Sequence, residues 1–328
     1  MAGRGRPRTI QPPVMSPSPR QLLRRLNDGL VGTAFERGLA RAGGNPRDGF
    51  LFFWNRGLGD VTLALVPLFA RIRQHVPGAR ITVVTRPELE EPFRLTDVDD
   101  VRVIVGLARD ARITEQDLRL ACGLDPGRFA VIFLDPDPTR WLHGNRGKLA
   151  PTLRWERAWD ALAEQAVPGA PGRMLIGAHV SSETAAHYSY VKDWPAARWR
   201  ALFERFTGSD GIRWVLLGLR PEPTFDLPHV SDLRGRTGFI EAMSIVKNRC
   251  RALVCPDSGI LNTAYYLGVS FPIVLLSLWS DPRQGILQQG CPSPNPQLRH
   301  VPIIGRDEDV RNIGVDEVER ALRLALQR

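Results

Sequence analysis

Continuous apolar runs alternate with amphipathic segments along most of the chain. "FLFFW" (50–54) and "ARITVVT" (79–85) are apolar runs, and "DVTLALVPLFARIRQHV" (60–76) between them places apolar residues at helical spacing. Such runs are typical of parallel strands that are buried on both faces. The pattern predicts a βαβ unit, followed by strands at 101–106 and 129–135 and a helix at 154–167.

The alternation restarts after the break "PGAPGRM" (168–174). It predicts strands at 175–180, 212–219, 252–256 and 271–277, and helices at 195–207, 238–249 and 259–268. Alternating strands and helices predict an α/β fold with mostly parallel sheets. We therefore expect two Rossmann-like domains that face each other across a cleft, at 49–170 and 171–310, followed by a C-terminal helix at 311–328.

The N-terminal residues differ in composition from the rest. Residues 1–20 are rich in Arg, Pro, Gly and Ser, which predicts disorder. Residues 21–48 predict a helical segment whose weak apolar face either docks on the body of the protein or lies on a membrane surface. Residues 1–48 hold nine arginines and three acidic residues, so most of the net charge of +9 belongs to this extension. Residues 1–20 lack interleaved aromatic residues, which argues against a nucleic-acid partner.

The sequence argues against a disulfide-stabilised, a metal-binding and a membrane-spanning protein. The four cysteines form no CxxC pair and the histidines show no ligand spacing, so neither a disulfide framework nor a metal site is expected. The chain has neither an apolar run long enough to span a membrane nor a secretory signal. We expect a cytoplasmic protein, and the sequence leaves open a peripheral contact at the inner face of the membrane.

The first candidate site is "NRGLGDV" (55–61), directly after a predicted strand. In open α/β sheets, ligands bind beyond the carboxyl ends of the strands. Gly57 and Gly59 allow a tight turn and close approach of the backbone to a ligand, and Asp60 lies where a helix begins. The competing interpretation of Asp60 is a helix cap.

Three further candidates follow strands of the second half. Ser181, Ser182 and Lys192 offer hydroxyl groups and a cation before a helix, which suits a phosphate ester, although a solvated loop would have the same composition. Asp257, Ser258 and Gly259 begin a helix and suit an anion or a hydroxyl group, with a capping Asp-Ser pair as the alternative. Glu222 follows another strand and could bind a ribose or lie unused on the surface.

Taken in order, these segments resemble glycosyltransferase family 9, the ADP-heptose heptosyltransferases of lipopolysaccharide core synthesis. The resemblance covers roughly residues 49–328. It is carried by "GLGDVTLALVPLFARIRQHVPGARITVVTRP" (57–87), "KDWPAARWRALFERF" (192–206), "VLLGLRPE" (215–222) and "VCPDSGILNTAYYLG" (254–268). Their order and spacing are more specific than any one of them.

The resemblance implies a GT-B fold, with the acceptor bound by the first domain, the nucleotide-sugar by the second, and a C-terminal helix that often returns to the first domain. It implies inverting transfer without a cofactor or an obligatory metal, with ADP-heptose as donor and a saccharide or glycolipid as acceptor. By position, Asp60 matches the general base. Ser181, Ser182 and Lys192 match the donor-phosphate loop, Glu222 the nucleoside position, and Asp257, Ser258 and Gly259 the turn that faces the donor.

The chain departs from the family pattern at two positions. Asn262 stands where D-[ST]-G-x-x-H has histidine, and Trp54 stands where a basic residue commonly precedes the catalytic aspartate by six residues. Asn262 can donate a hydrogen bond to a phosphate but carries no charge. The departures motivate an alternative hypothesis, in which the chain keeps the GT-B scaffold as a catalytically inactive nucleotide-binding or assembly protein.

Overall fold

A computed structural model describes residues 32–42, 49–142, 149–167, 174–188, 191–208 and 211–327. The strands are β1 (Gly49–Trp54), β2 (Ile81–Thr85), β3 (Asp100–Val103), β4 (Phe129–Phe133), β5 (Met174–Ala178), β6 (Ile212–Leu216), β7 (Val230–Asp232), β8 (Cys250–Pro256), β9 (Ile273–Trp279) and β10 (Leu298–Ile304). The predicted extension at 1–20 lies outside the described residues.

The α-helices are α1 (Ala34–Ala42), α2 (Leu58–Asp60), α3 (Val66–His75), α4 (Pro87–Arg94), α5 (Glu115–Cys122), α6 (Pro138–Trp141), α7 (Asp160–Ala166), α8 (Glu183–Tyr188), α9 (Ala196–Glu204), α10 (Phe239–Asn248), α11 (Gly259–Tyr266), α12 (Gly285–Gln289) and α13 (Val315–Leu326). A π-helical stretch (Val61–Leu65) joins α2 to α3. Short 3-10 turns occur at Pro126–Arg128, Arg157–Trp159, Arg306–Glu308 and Val310–Asn312.

The strands form two parallel sheets. The first has the order β3-β2-β1-β4 and the second the order β10-β9-β8-β5-β6-β7. We call residues 32–142 the N-terminal half and residues 174–327 the C-terminal half. Strands β1, β2 and β9 are buried at every position, as their uninterrupted apolar sequences predict. The predicted α/β fold with mostly parallel sheets is confirmed.

Helix α1 docks on the N-terminal half. Phe35, Leu39 and Ala42 are buried in the same core as β1, and Phe35 stacks on Trp141. The Cβ of an alanine at Gly38 would lie 2.8 Å from the Phe133 ring, so only glycine allows this close approach. Of the two interpretations of this segment, docking holds for residues 34–42, and residues 21–31 and 43–48 lie outside the described part.

Helices α7 and α13 pack on the C-terminal half, although the sequence places α7 in the N-terminal domain and the family resemblance suggests the same half for α13. Helix α7 falls within the predicted N-terminal domain, but Ala163 donates its N–H to Ser244 Oγ at 3.2 Å and Lys247 pairs with Asp160 at 2.8 Å. The chain therefore crosses over before α7, because that helix buries its apolar face against α10. Helix α13 buries Val318 and Leu322 in the core that contains Trp199, whereas the family resemblance suggested a return to the first half.

The two halves meet where α2 and the π-helical stretch contact α11 and α12. Thr62 Oγ1 and Thr263 Oγ1 lie 3.5 Å apart, and the Cβ of an alanine at Gly59 would lie 3.0 Å from Asn262 Nδ2. Pro67 has no N–H to donate to Leu63 O, and Gln289 Nε2 of the other half donates to that oxygen at 2.7 Å. This seam brings the starts of α2 and α11 together.

Gly259 permits the closest contact in the seam. The Cβ of an alanine there would lie 2.4 Å from Leu58 Cγ. We expect Gly259→Ala to lower the free energy of unfolding by about 1–3 kcal/mol, because the overlap forces the halves apart or strains α11. Urea unfolding measures this change. Gly314→Ala is the matched control, since the space around Gly314 is open. A Gly259→Ala protein that is as stable as the control, or is not restored by Leu58→Ala, would contradict the steric cause.

Candidate functional site

The carboxyl ends of the strands bring the predicted loops to one cleft. The loop after β1 carries Gly57 and Asp60, the loop after β5 leads to Lys192, and the loop after β8 begins at Asp257. Parallel strands end at the same edge of their sheet, and here the two edges face each other across the seam.

Asp60 is not a helix cap. Its side chain accepts no capping hydrogen bond, either at the start of α2 or at the start of the π-helical stretch. Burial raises the pKa of Asp60 above its ordinary value of 3.8, and Lys192, Arg109 and Arg56 partly offset that effect while Asp257 adds to it. The start of a helix is thus not enough to hold this pKa down. The carboxylate instead faces charged groups from both halves.

Lys192 and Asp257 form an ion pair inside the cleft. Lys192 Nζ donates to Asp257 Oδ2 at 2.5 Å, and the two side chains are 20% and 9% exposed. Gly285 makes room for this carboxylate, because an alanine Cβ there would lie 2.6 Å from Asp257 Oδ1. Because both residues also act on the charge of Asp60, the structure gathers the predicted base, cation and acidic turn into one site.

The two buried serines cap short helices. Ser258 Oγ accepts from Leu261 N at 3.4 Å at the start of α11, and Ser182 Oγ accepts from Ala185 N at 3.1 Å at the start of α8. The backbone N–H of Ser182 donates to both carboxylate oxygens of Asp193 at 2.9 and 3.1 Å. Burial raises the pKa of Asp193, and these hydrogen bonds and Lys192 oppose the rise. For both serines, capping accounts for the hydroxyl group, and Ser181 beside them is half-buried.

Gly57 and Asn262 belong to opposite halves and lie at or near the seam. The Cβ of an alanine at position 57 would lie 3.3 Å from Asp60 Oδ2, 3.7 Å from Arg109 Nη2 and 3.8 Å from Thr184 Oγ1, so three polar atoms converge on one point beside Gly57. Asn262 is 2% exposed, and its Oδ1 has no hydrogen-bond partner among the described residues. Gly57 thus lets the backbone approach the polar side chains of both halves, whereas Asn262 is held in the seam.

Glu222 is not brought into this cluster. Its side chain is exposed, in the loop after β6, and no contact within the described part of the chain joins it to Lys192 or Asp257. The same loop is anchored by Arg234, which donates to Pro223 O at 2.7 Å. The predicted nucleoside role of Glu222 stays a prediction.

Sequence reasoning missed three charged residues that hold the cleft together. Arg86 and Arg109 of the N-terminal half both pair with Glu183 of α8, each with an N–O distance of 2.9 Å. Arg86 directly follows a buried strand, which is a signal for a site residue that could have been used. Arg109 and Glu183 lie in polar stretches of sequence, so the sequence holds no comparable signal for them.

The structure also bears on metal and membrane binding within its described ranges. There, no group of three or more His, Cys, Asp or Glu side chains is arranged to hold a metal ion. No helix in the same ranges is both long and apolar enough to cross a bilayer.

Comparison with known proteins identifies the architecture. No family model and no curated protein matches the sequence. The ADP-heptose lipopolysaccharide heptosyltransferase II of E. coli is 17% identical, with a TM-score of 0.56 over 85% of this chain and 98% of that one. A family 9 glycosyltransferase from Veillonella parvula is 16% identical, with a TM-score of 0.55 over 86% and 98%. The iron-containing dodecameric glycosyltransferase TibC of enterotoxigenic E. coli is 13% identical, with a TM-score of 0.51 over 86% and 77%.

At these identities the similarity concerns the fold. Two parallel α/β sheets that face each other are the GT-B architecture of these neighbours. The fold class that the sequence resemblance implied is therefore confirmed.

Proposed function

We propose that this chain is an inverting, metal-independent glycosyltransferase that moves heptose from ADP-heptose to a hydroxyl group of a saccharide or glycolipid acceptor. The observation that carries the proposal is Asp60, an uncapped carboxylate on one half that faces the Lys192–Asp257 pair of the other half. A base and a phosphate-binding cation on opposite walls of a cleft are what an in-line displacement at an anomeric carbon requires.

The proposed reaction assigns one role to each side of the cleft. Asp60 takes the proton of the acceptor hydroxyl group as its oxygen attacks the anomeric carbon. The bond from that carbon to the diphosphate breaks on the opposite face, and Lys192 neutralises the charge that develops on the leaving diphosphate. We place the attacking hydroxyl group within hydrogen-bond distance of the Asp60 carboxylate.

Of the two departures from the family pattern, Asn262 favours the alternative of an inactive scaffold and Trp54 does not. Trp54 is a core residue whose Nε1 donates to Gly57 O at 3.2 Å, and the Arg56 guanidinium lies 5.5 Å from its ring centre. Arg56 also opposes the rise in the pKa of Asp60. A positive charge therefore lies near Asp60 even though Trp54 stands where the family commonly has a basic residue. Asn262 is the observation that favours the alternative, because its amide is packed against Gly59.

Ligand binding tests the proposal. We expect ADP and ADP-heptose to raise the melting temperature, since a ligand selective for the folded state stabilises it in proportion to its affinity. A thermal-shift screen of nucleotide sugars, followed by calorimetry, makes the measurement. If no nucleoside diphosphate or nucleotide sugar binds, the proposed function is wrong. Tight binding with neither transfer to any acceptor nor hydrolysis would support the inactive scaffold.

A further inference from the structure

Glu183 is the shared counter-ion of two nearly buried arginines. Arg86 Nη2 donates to both of its carboxylate oxygens at 3.1 and 2.9 Å, and Arg109 Nη1 lies 2.9 Å from Oε2. The side chains of Arg86 and Arg109 are only 7% and 8% exposed. Charges at this depth require a partner, because leaving one unpaired costs several kcal/mol. Both arginines belong to the N-terminal half, and Glu183 belongs to the C-terminal half.

Arg109 in turn lies beside the proposed base. Its Nη2 and Asp60 Oδ2 both fall within 4 Å of the position that an alanine Cβ would take at Gly57. Arg109 also donates to Thr184 Oγ1 at 3.4 Å, and His187 Nε2 lies 2.9 Å from Asp110 Oδ2. Helix α8 thus holds the Arg109 loop through three successive contacts.

We propose that Glu183 is a positioning residue, which fixes Arg109 beside Asp60 and so sets the positive charge around the base. Its role in transfer rests on the proposed function, but the positioning of Arg109 does not. Arg86 and Arg109 also lie near carboxylates of their own half, Glu88 at 3.2 Å and Asp110 at 3.8 Å. Glu183 is the carboxylate that both arginines share, and it reaches them from the opposite half.

The sign of one measurement distinguishes positioning from a simple charge effect. The charged groups that face Asp60 are Lys192, Arg109, Arg56 and Asp257. If Glu183 merely added negative charge nearby, its removal would lower the pKa of Asp60. If Glu183 holds Arg109 in place, its removal releases a favourable cation, and the pKa of Asp60 rises.

The experiment follows the Asp60 carboxyl carbon by NMR during a pH titration of 13C-labelled protein, with Asp60→Asn identifying the signal. We expect Glu183→Gln to raise the pKa of Asp60, and Glu91→Gln to leave it unchanged. Glu91 is the matched control, since it joins the halves by accepting from Ile240 N at 2.8 Å, away from Arg109. A lowered or unchanged pKa in Glu183→Gln overturns the proposal.

Arg109→Gln provides an independent arm in case Glu183→Gln does not fold. We expect it to raise the pKa of Asp60 also, and the double variant to show no further rise, because both changes remove the same interaction. An unchanged pKa in Arg109→Gln, or additive rises in the double variant, overturns the proposal. The titration needs no substrate, so an absence of ADP binding would reject the proposed function without affecting this result.

Discussion

Asp60→Asn is expected to lower turnover by about 100- to 10,000-fold while ADP binding stays the same, because general bases contribute rate enhancements of this size. The amide keeps the shape of the side chain but cannot accept the proton of the attacking hydroxyl group. Hydrolysis of ADP-heptose, in which water replaces the acceptor, measures turnover, and calorimetry with ADP measures binding. Full turnover in the variant would remove Asp60 from the mechanism.

The same substitution is expected to stabilise the protein at neutral pH. Burial raises the pKa of Asp60 in the folded state above 3.8. Ionisation of Asp60 therefore disfavours the folded state once the pH exceeds the pKa that this residue has in the unfolded chain. The gain in unfolding free energy of Asp60→Asn should therefore be complete above the raised pKa and vanish below about pH 4. Turnover of the native protein should fall as the pH drops through the raised pKa.

A surface carboxylate provides the control for both effects of Asp60→Asn. Asp226 is exposed in the C-terminal half, so Asp226→Asn removes the same charge without touching the cleft. It should change neither turnover nor the pH dependence of stability. An Asp60→Asn protein that is less stable than wild type at pH 7 would contradict a destabilising buried carboxylate.

Lys192→Met is expected to weaken ADP binding by about tenfold or more and to lower the free energy of unfolding by about 2–3 kcal/mol. A hydrogen bond from a charged group contributes about 1.5–3 kcal/mol, and 1.4 kcal/mol corresponds to a factor of ten in affinity. The loss of stability arises because the Asp257 side chain, only 9% exposed, loses the hydrogen bond from Lys192 Nζ at 2.5 Å. Calorimetry and urea unfolding measure the two effects.

A second substitution separates the two effects of Lys192→Met. Adding Asp257→Asn removes the unpaired charge, so the double variant should regain most of the stability but none of the ADP affinity. If ADP affinity returned together with stability, Lys192 would act only by supporting the fold of the loop. Unchanged ADP binding in Lys192→Met alone would dismiss its role in holding the diphosphate.

Much of the fold could be predicted because local sequence determines it. β1 and β9 are uninterrupted apolar runs, which only a sheet covered on both faces can bury, and both appear within two residues of their predicted bounds. Helix α7 shows the limit of such reasoning. Its amphipathic sequence predicts a helix but carries no information on which half it packs against, and Ser244, its partner, is about eighty residues away.

The sequence predicts which residues belong to the site but not which of their side chains contact each other. The sequence indicates Asp60, Lys192 and Asp257 because each lies in a segment that follows a buried strand, at the edge where ligands bind. The ion pair of Lys192 with Asp257 depends on how a long loop returns to the cleft, which residue spacing does not determine. The Glu183 contacts depend on the relative placement of the two halves, and the role predicted for the exposed Glu222 stays a prediction.

The amide oxygen of Asn262 is a cost of joining the two halves. It is buried in the seam and has no hydrogen-bond partner among the described residues. A buried carbonyl group in that state costs about 1–3 kcal/mol. The packing of Gly59 and Gly259 across the seam must therefore outweigh this cost for the halves to stay in contact.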